Sequence, residues 1–266
     1  MNAELLLRFT LDCDRAYLYA HSERELTADE QARYEAAVAE RAHGVPAQYI
    51  TGHQEFWGMD LIVSPAVLIP RPETEHVIET VLSLSRSSET GGQECAPHAT
   101  KIVDVGTGSG CIALALAKEL PEAEVYATDI SADALEIAQA NAARLGLGSR
   151  VQFHQSDLLQ GLRSDLDFVV SNPPYVGESE EDQVQLEVRR FEPREAVFAG
   201  PIGTQVIARL IPEARKALRP GGWLVMEISG TIAERVASLL HGWEEVKLIP
   251  DLQSIPRVVR ARKPRS

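Results

Sequence analysis

The sequence predicts an α/β protein with a doubly wound parallel sheet, preceded by a helical segment. Three observations predict it. Short apolar runs alternate with helical stretches from Lys101 onward, the pattern of parallel strands joined by crossover helices. The first of these runs ends in a glycine-rich turn, Asp104-Val105-Gly106-Thr107-Gly108-Ser109-Gly110, a form that closes the carboxyl end of a ligand-binding strand. The first fifty residues lack this alternation and read as helix.

In chain order, Thr27-Ala28-Asp29-Glu30 has the spacing of a capping box, in which Thr27 accepts from the first turn and Glu30 reaches back. The helix it opens is alanine-rich and stops at Gly44, with Pro46 beyond. Gly58 sits between two short apolar runs, 55–57 and 59–63, and predicts a hairpin. Pro65, Pro70 and Pro72 punctuate the next stretch, and a helix is expected to start near Glu73. Residues 85–99 are small and polar and read as a linker. Strands are then expected at 101–105, 124–128, 150–154, 167–171 and 223–228, with helices at 131–145 and 204–218. Two last apolar segments, 244–249 and 257–259, are close enough to form a hairpin on the sheet edge.

Composition narrows the function. A length of 266 residues suits one large domain with a small one. The net charge of −13 disfavours a broad nucleic-acid-binding face. No apolar stretch approaches membrane-spanning length. The N-terminus lacks the basic start of a signal peptide, so a cytoplasmic protein is expected. Cys13, Cys95 and Cys111 are far apart and odd in number, which argues for reduced thiols and against a metal site.

Two motifs carry chemistry. Alternating glycines let the backbone turn tightly and approach a ligand. Gly106, Thr107, Gly108, Ser109 and Gly110 are therefore candidate cofactor contacts. Asp129 ends the second strand, where an acid commonly accepts from ribose hydroxyls. The G-x-G-x-G spacing departs from the G-x-x-G ending of dinucleotide sites and weakens the case for a pyrophosphate. It favours S-adenosyl-L-methionine, which has no phosphate, over a nicotinamide cofactor. Asp157 and Leu158 follow the third strand, where an adenine would lie, with a plain turn aspartate nearly as good a reading of Asp157.

The second motif, Asn172-Pro173-Pro174-Tyr175, follows the fourth strand. Proline lacks an N–H and stiffens its neighbours, so the loop is rigid and rich in acceptors. Such a loop suits a planar –NH2 methyl acceptor, whose delocalised lone pair makes it a poor nucleophile. The Asn172 side-chain oxygen and the Pro173 carbonyl can hold that group in line and favour its developing positive charge. Tyr175, expected to be exposed, can wall the slot by stacking.

"DVGTGSG" and "SNPPY" together resemble the seven-stranded S-adenosyl-L-methionine-dependent methyltransferases that modify planar nitrogens. DNA amino-methyltransferases and protein glutamine methyltransferases both fit. Residues 45–75, 14–21 and 187–200 are similar to the HemK-type peptide chain release factor glutamine methyltransferases, and the resemblance covers nearly the whole chain. The related ribosomal-protein enzyme differs at Arg71-Pro72-Glu73-Thr74-Glu75, which favours the release factor. The resemblance implies a Rossmann-like seven-stranded methyltransferase sheet and a small helical N-terminal domain. It implies residues 1–52 for substrate docking, 53–72 for the hairpin and connection, and 73–266 for catalysis. It implies donor contacts at Gly106 to Gly110, Asp129, Leu158 and Asn172, with the substrate glutamine held by Asn172 to Tyr175. Methylation of the glutamine in a Gly-Gly-Gln motif by a monomer without nucleic-acid contact is expected; a DNA adenine or a ribosomal-protein glutamine is the alternative acceptor.

Three departures from the family stand out. Leu158 occupies a position that is often aromatic; Ile202 and Ile207 replace an acidic and an aromatic residue around Gly203. By the same resemblance a first helix of the helical domain is expected to be missing. The linker carries its own Gly91-Gly92-Gln93, read as chance in a Gly/Ser-rich stretch.

Overall fold

The computed structural model describes residues 2–89, 99–162 and 164–265. Residues 91–93, with the Gly-Gly-Gln tripeptide, lie outside the described residues. The chain opens with four helices, α1 (Asn2–Leu11), α2 (Arg15–Ala20), α3 (Ala28–Ala42) and α4 (Ala47–Thr51). The capping box forms as expected: the Glu30 N–H donates to Thr27 Oγ1 at 3.3 Å, and the Thr27 N–H donates to Glu30 Oε2 at 2.9 Å. The hairpin turns at Gly58 between β1 (His53–Phe56) and β2 (Met59–Ile62). After it come α5 (Glu75–Glu89), β3 (Lys101–Val105), α6 (Cys111–Glu119), β4 (Glu124–Asp129), α7 (Ala132–Arg144), β5 (Val151–Gln155) and β6 (Leu166–Ser171). Three further helices, α8 (Leu186–Phe191), α9 (Arg194–Val197) and α10 (Gln205–Ala217), precede β7 (Leu218–Glu227). The chain closes with α11 (Ala233–Leu239), β8 (Glu244–Pro250) and β9 (Pro256–Arg262).

Seven strands form one sheet in the order β5-β4-β3-β6-β7-β9-β8, parallel except where β9 meets β7 and β8. β9 thus slips between β7 and β8, so the closing hairpin caps the edge. Strand residues alternate between two cores. Ile102, Phe168, Val170 and Val225 face α5, α6 and the β1–β2 hairpin; Val103, Val169, Leu224 and Met226 face α10 and α11. Both faces are covered, which is why the strands read as continuous apolar runs.

One boundary differs from expectation. β7 starts at Leu218, not Trp223, and takes Pro220-Gly221-Gly222 into the strand. The register with β6 shifts there. A side chain on Gly222 would come within 3.0 Å of the Leu166 carbonyl oxygen. Glycine therefore marks a bulge where two backbones approach closely, not a turn before the strand.

Going outward from β3, the chain builds β4 and β5 on one side, then crosses to β6 on the other. The switch point lies between the carboxyl ends of β3 and β6, where open α/β sheets hold ligands.

Candidate active site

A cavity of about 330 Å³ opens at that switch point. Its floor is the turn after β3. Gly106, Gly108 and Gly110 all take left-handed φ values, 71°, 54° and 84°, which cost a side-chain-bearing residue roughly 1–2 kcal/mol. Around Gly106 and Gly108 the Cβ position is open space within the cavity wall, so a ligand can lie directly on the backbone. Gly110 does not line the cavity, contrary to the sequence expectation. It caps α6, and a Cβ there would meet Ala138 of α7 at 3.2 Å. Its glycine serves helix packing.

Asp104 sets the turn from below. It is fully buried, accepting from Thr107 Oγ1 at 2.6 Å and from the Ala113 N–H at 3.2 Å. Burial pushes its carboxyl up to about 7. Asp129 closes the side. It accepts from the Gly108 N–H at 2.9 Å and the Ser131 N–H at 3.0 Å, and burial raises its pKa. The carboxylate keeps a further lone pair for a ligand. Asp157 and Leu158 line the far end. Asp157 is paired with Arg209 at 2.5 Å, so a ligand amine would share an occupied carboxylate. Leu158 sits at φ 54°, its carbonyl accepting from Thr128 Oγ1 at 3.1 Å.

The opposite wall comes from β6. Ser171 donates to the Val105 carbonyl at 2.7 Å, tying the β6 end to the glycine turn. Asn172 and Pro174 then line the cavity, and Pro173 and Tyr175 do not. Tyr175 is not the exposed stacking wall that the sequence suggests. Its ring packs on the core beside α10, and its hydroxyl donates to Glu227 at 3.3 Å. Burial raises its pKa. An aromatic ring on a stiff loop gains more from core burial than from solvent.

Sequence reasoning missed the groups behind the loop and the outer walls. Glu227, at the end of β7, is buried beneath the loop, with its carboxyl pushed up to about 7 by burial. Thr74 bridges it to Asn172. The outer walls come from residues 66–70 and 193–198. Glu192 joins these walls: it accepts from Arg71 and, at 3.2 Å, from the Ile69 N–H. Behind the first wall, Asn141 donates to the Ile62 and Ser109 carbonyls and accepts from the Ile62 N–H, linking hairpin to glycine turn.

Three carboxylates, Asp129, Asp157 and Glu195, line the cavity beside one guanidinium, Arg209, which is already paired. That charge balance disfavours a pyrophosphate and accommodates a cationic, phosphate-free ligand. An open glycine floor, an acid at the second strand tip and an amide loop at the fourth define an S-adenosyl-L-methionine-type methyltransferase site. Family models agree: "Methyltransferase small domain" matches residues 93–190 and "PrmC N-terminal domain" matches residues 1–52. Among relatives, a release factor glutamine methyltransferase of Koribacter versatilis (strain Ellin345) is 57% identical over 270 residues, covering 100% of this chain and 92% of its own. Another, from Rhodopirellula baltica, is 39% identical, covering 99% and 89%. The chain belongs to the release factor glutamine methyltransferase family. Solved structures share its fold. The hMettl16 catalytic domain aligns with TM-score 0.62 at 18% identity, over 83% of this chain and 80% of that one. A methyltransferase from Pyrococcus furiosus aligns with TM-score 0.54 at 19% identity, over 86% and 98%.

Proposed function

We propose that this enzyme methylates the side-chain amide nitrogen of the glutamine in the Gly-Gly-Gln motif of peptide chain release factors, and so supports translation termination. The observation that carries the reading is Asn172 at the cavity wall, with its –NH2 turned inward to Thr74 and its oxygen left for a planar donor. When bound, S-adenosyl-L-methionine supplies a methyl group on a cationic sulfur. The residues of the chain bind and orient. Gly106, Thr107, Gly108 and Ser109 form the floor under the donor, Asp129 accepts from its ribose, and Asp157 and Leu158 border its adenine. Asn172 Oδ1 accepts from the glutamine –NH2, holds its nitrogen in line and favours the positive charge that grows on it. Pro174 shapes the slot, and Tyr175 anchors the loop.

In this reading residues 1–52 dock the release factor, 53–72 connect, and 73–266 carry the chemistry. The enzyme works as a monomer in the cytoplasm, where release factors act. The test is incubation with labelled donor and, in separate reactions, purified release factors, ribosomal large-subunit proteins and DNA. Label on the Gly-Gly-Gln glutamine is expected; label on DNA or on a ribosomal protein instead would overturn the reading.

A further inference from the structure

The side-chain amide of asparagine has two nearly isosteric orientations, and only one presents an acceptor to the cavity. A residue that must accept from a substrate –NH2 therefore needs something to choose between them. In this protein the choice is made behind the loop. Asn172 Nδ2 donates to Thr74 Oγ1 at 3.1 Å, and Thr74 Oγ1 donates to Glu227 Oε2 at 2.5 Å. Thr74 and Glu227 are 1% and 2% exposed, so water does not compete. Tyr175, from the same loop as Asn172, donates to the other Glu227 oxygen.

A hydroxyl has one hydrogen. Above its raised pKa of about 7 Glu227 is a carboxylate that can only accept, so Thr74 gives it its hydrogen and keeps only lone pairs for Asn172. An Asn172 oxygen turned toward Thr74 would face those lone pairs with no proton between. The –NH2 must point inward and Oδ1 outward. We infer that Thr74 and Glu227 are positioning residues: a buried relay that sets the polarity of Asn172 and thereby makes the slot select a planar hydrogen-bond donor as methyl acceptor. The inference rests on the proposed role of Asn172 in holding that acceptor.

The geometry follows from the fold. Ser171 and Met226 are paired neighbours on β6 and β7, so the next residues, Asn172 and Glu227, emerge together at the sheet's carboxyl edge. The 3₁₀ turn Pro72–Thr74 delivers Thr74 between them. Glu73 raises the Glu227 pKa and Arg257 lowers it, both less than burial does.

The test uses the full-length chain at about pH 8, where Glu227 is ionised, with Thr74→Val, Thr74→Ser and Glu227→Gln. Thr74→Val removes the hydroxyl but keeps the shape; Thr74→Ser restores the hydroxyl. Glu227→Gln replaces an acceptor-only carboxylate with an amide that can turn either end to Thr74, and so removes the fixed direction of the hydroxyl. The first readout is the Asn172 side-chain –NH2 pair in ¹⁵N-edited spectra. It should be shifted and slow to exchange in the wild type and Thr74→Ser, and move toward free-amide values with fast exchange in Thr74→Val. The second is single-turnover methylation of a release factor at saturating donor. Thr74→Val should lose roughly tenfold or more, the loss for a misplaced transition-state hydrogen bond, with Glu227→Gln intermediate, donor affinity nearly unchanged and Thr74→Ser near the wild type. An unchanged Asn172 resonance in Thr74→Val, or a wild-type rate in that folded variant, would overturn the inference. A wild type that methylates no release factor, yet shows the resonance shifts, would retain the relay and remove the substrate reading.

Discussion

Asn172 shows how one side chain draws meaning from two strand ends and a 3₁₀ turn. Its oxygen faces the cavity only because its –NH2 is occupied behind the loop. Asn172→Ala should lower the single-turnover rate by at least about a hundredfold, as when one preorganised transition-state donor or acceptor is removed. Donor affinity, titrated alongside, should move far less; a loss confined to donor affinity would reassign Asn172 to the cofactor. Glu227 gives a second prediction. Its folded pKa, raised by burial to about 7, lies above the usual 4.5. Between those values the folded state holds a proton that the unfolded state has released, so this group's contribution to stability falls as pH rises through that window. Below it both states are protonated and the contribution is flat. Glu227→Gln has no such titration. Denaturant unfolding at about pH 5 and about pH 8 should show the stability difference, variant minus wild type, becoming more favourable to the variant at the higher pH. A difference that stays constant would mean that Glu227 titrates normally.

The loops at the strand tips are held by backbone as much as by side chains. Gly203, just before α10, has φ 77°, and a Cβ there would run into the Tyr175 carbonyl oxygen. Its neighbour Ile202 is exposed, whereas Ile207 is fully buried in the α10 core. The family departure at Ile207 is thus a core substitution, and that at Ile202 a surface one. Gly203→Ala combines left-handed strain of roughly 1–2 kcal/mol with displacement of the Asn172–Tyr175 loop. The expected outcome is a lower unfolding midpoint together with a reduced methylation rate. A midpoint equal to that of the wild type would show that the loop yields without strain.

The walls of the cavity come from segments more than a hundred residues apart, and Arg71 with Glu192 holds them together. The Glu192 side chain is 1% exposed and that of Arg71 34%. Breaking the pair strands a buried carboxylate, though solvent reaches the arginine side. Arg71→Ala is therefore expected to destabilise by about 1–3 kcal/mol, between a surface pair and a fully buried one. Because residues 66–70 and 193–198 would loosen together, the Michaelis constant for release factor should rise. Denaturant melts and steady-state kinetics on the same preparation check both; a stable variant with an unchanged Michaelis constant would free Arg71 of this role.

The glycine turn, Asp129 and the Asn-Pro-Pro-Tyr loop were readable from the residues alone. Their signals are local: glycine's access to positive φ, proline's rigidity, an acid at a strand end. Strand alternation was readable too, because the apolar runs are continuous where both sheet faces are covered. The inward turn of Tyr175, the packing duty of Gly110 and the strand reaching back to Leu218 were not. Each depends on what lies across from it: Glu227, Ala138 and the Leu166 carbonyl. The Thr74–Glu227–Asn172 relay was least legible, since its hydrogen bonds span 153 and 98 residues of sequence. No local propensity encodes such a contact. It exists because parallel strands bring their carboxyl ends to one edge of the sheet, where distant residues become neighbours.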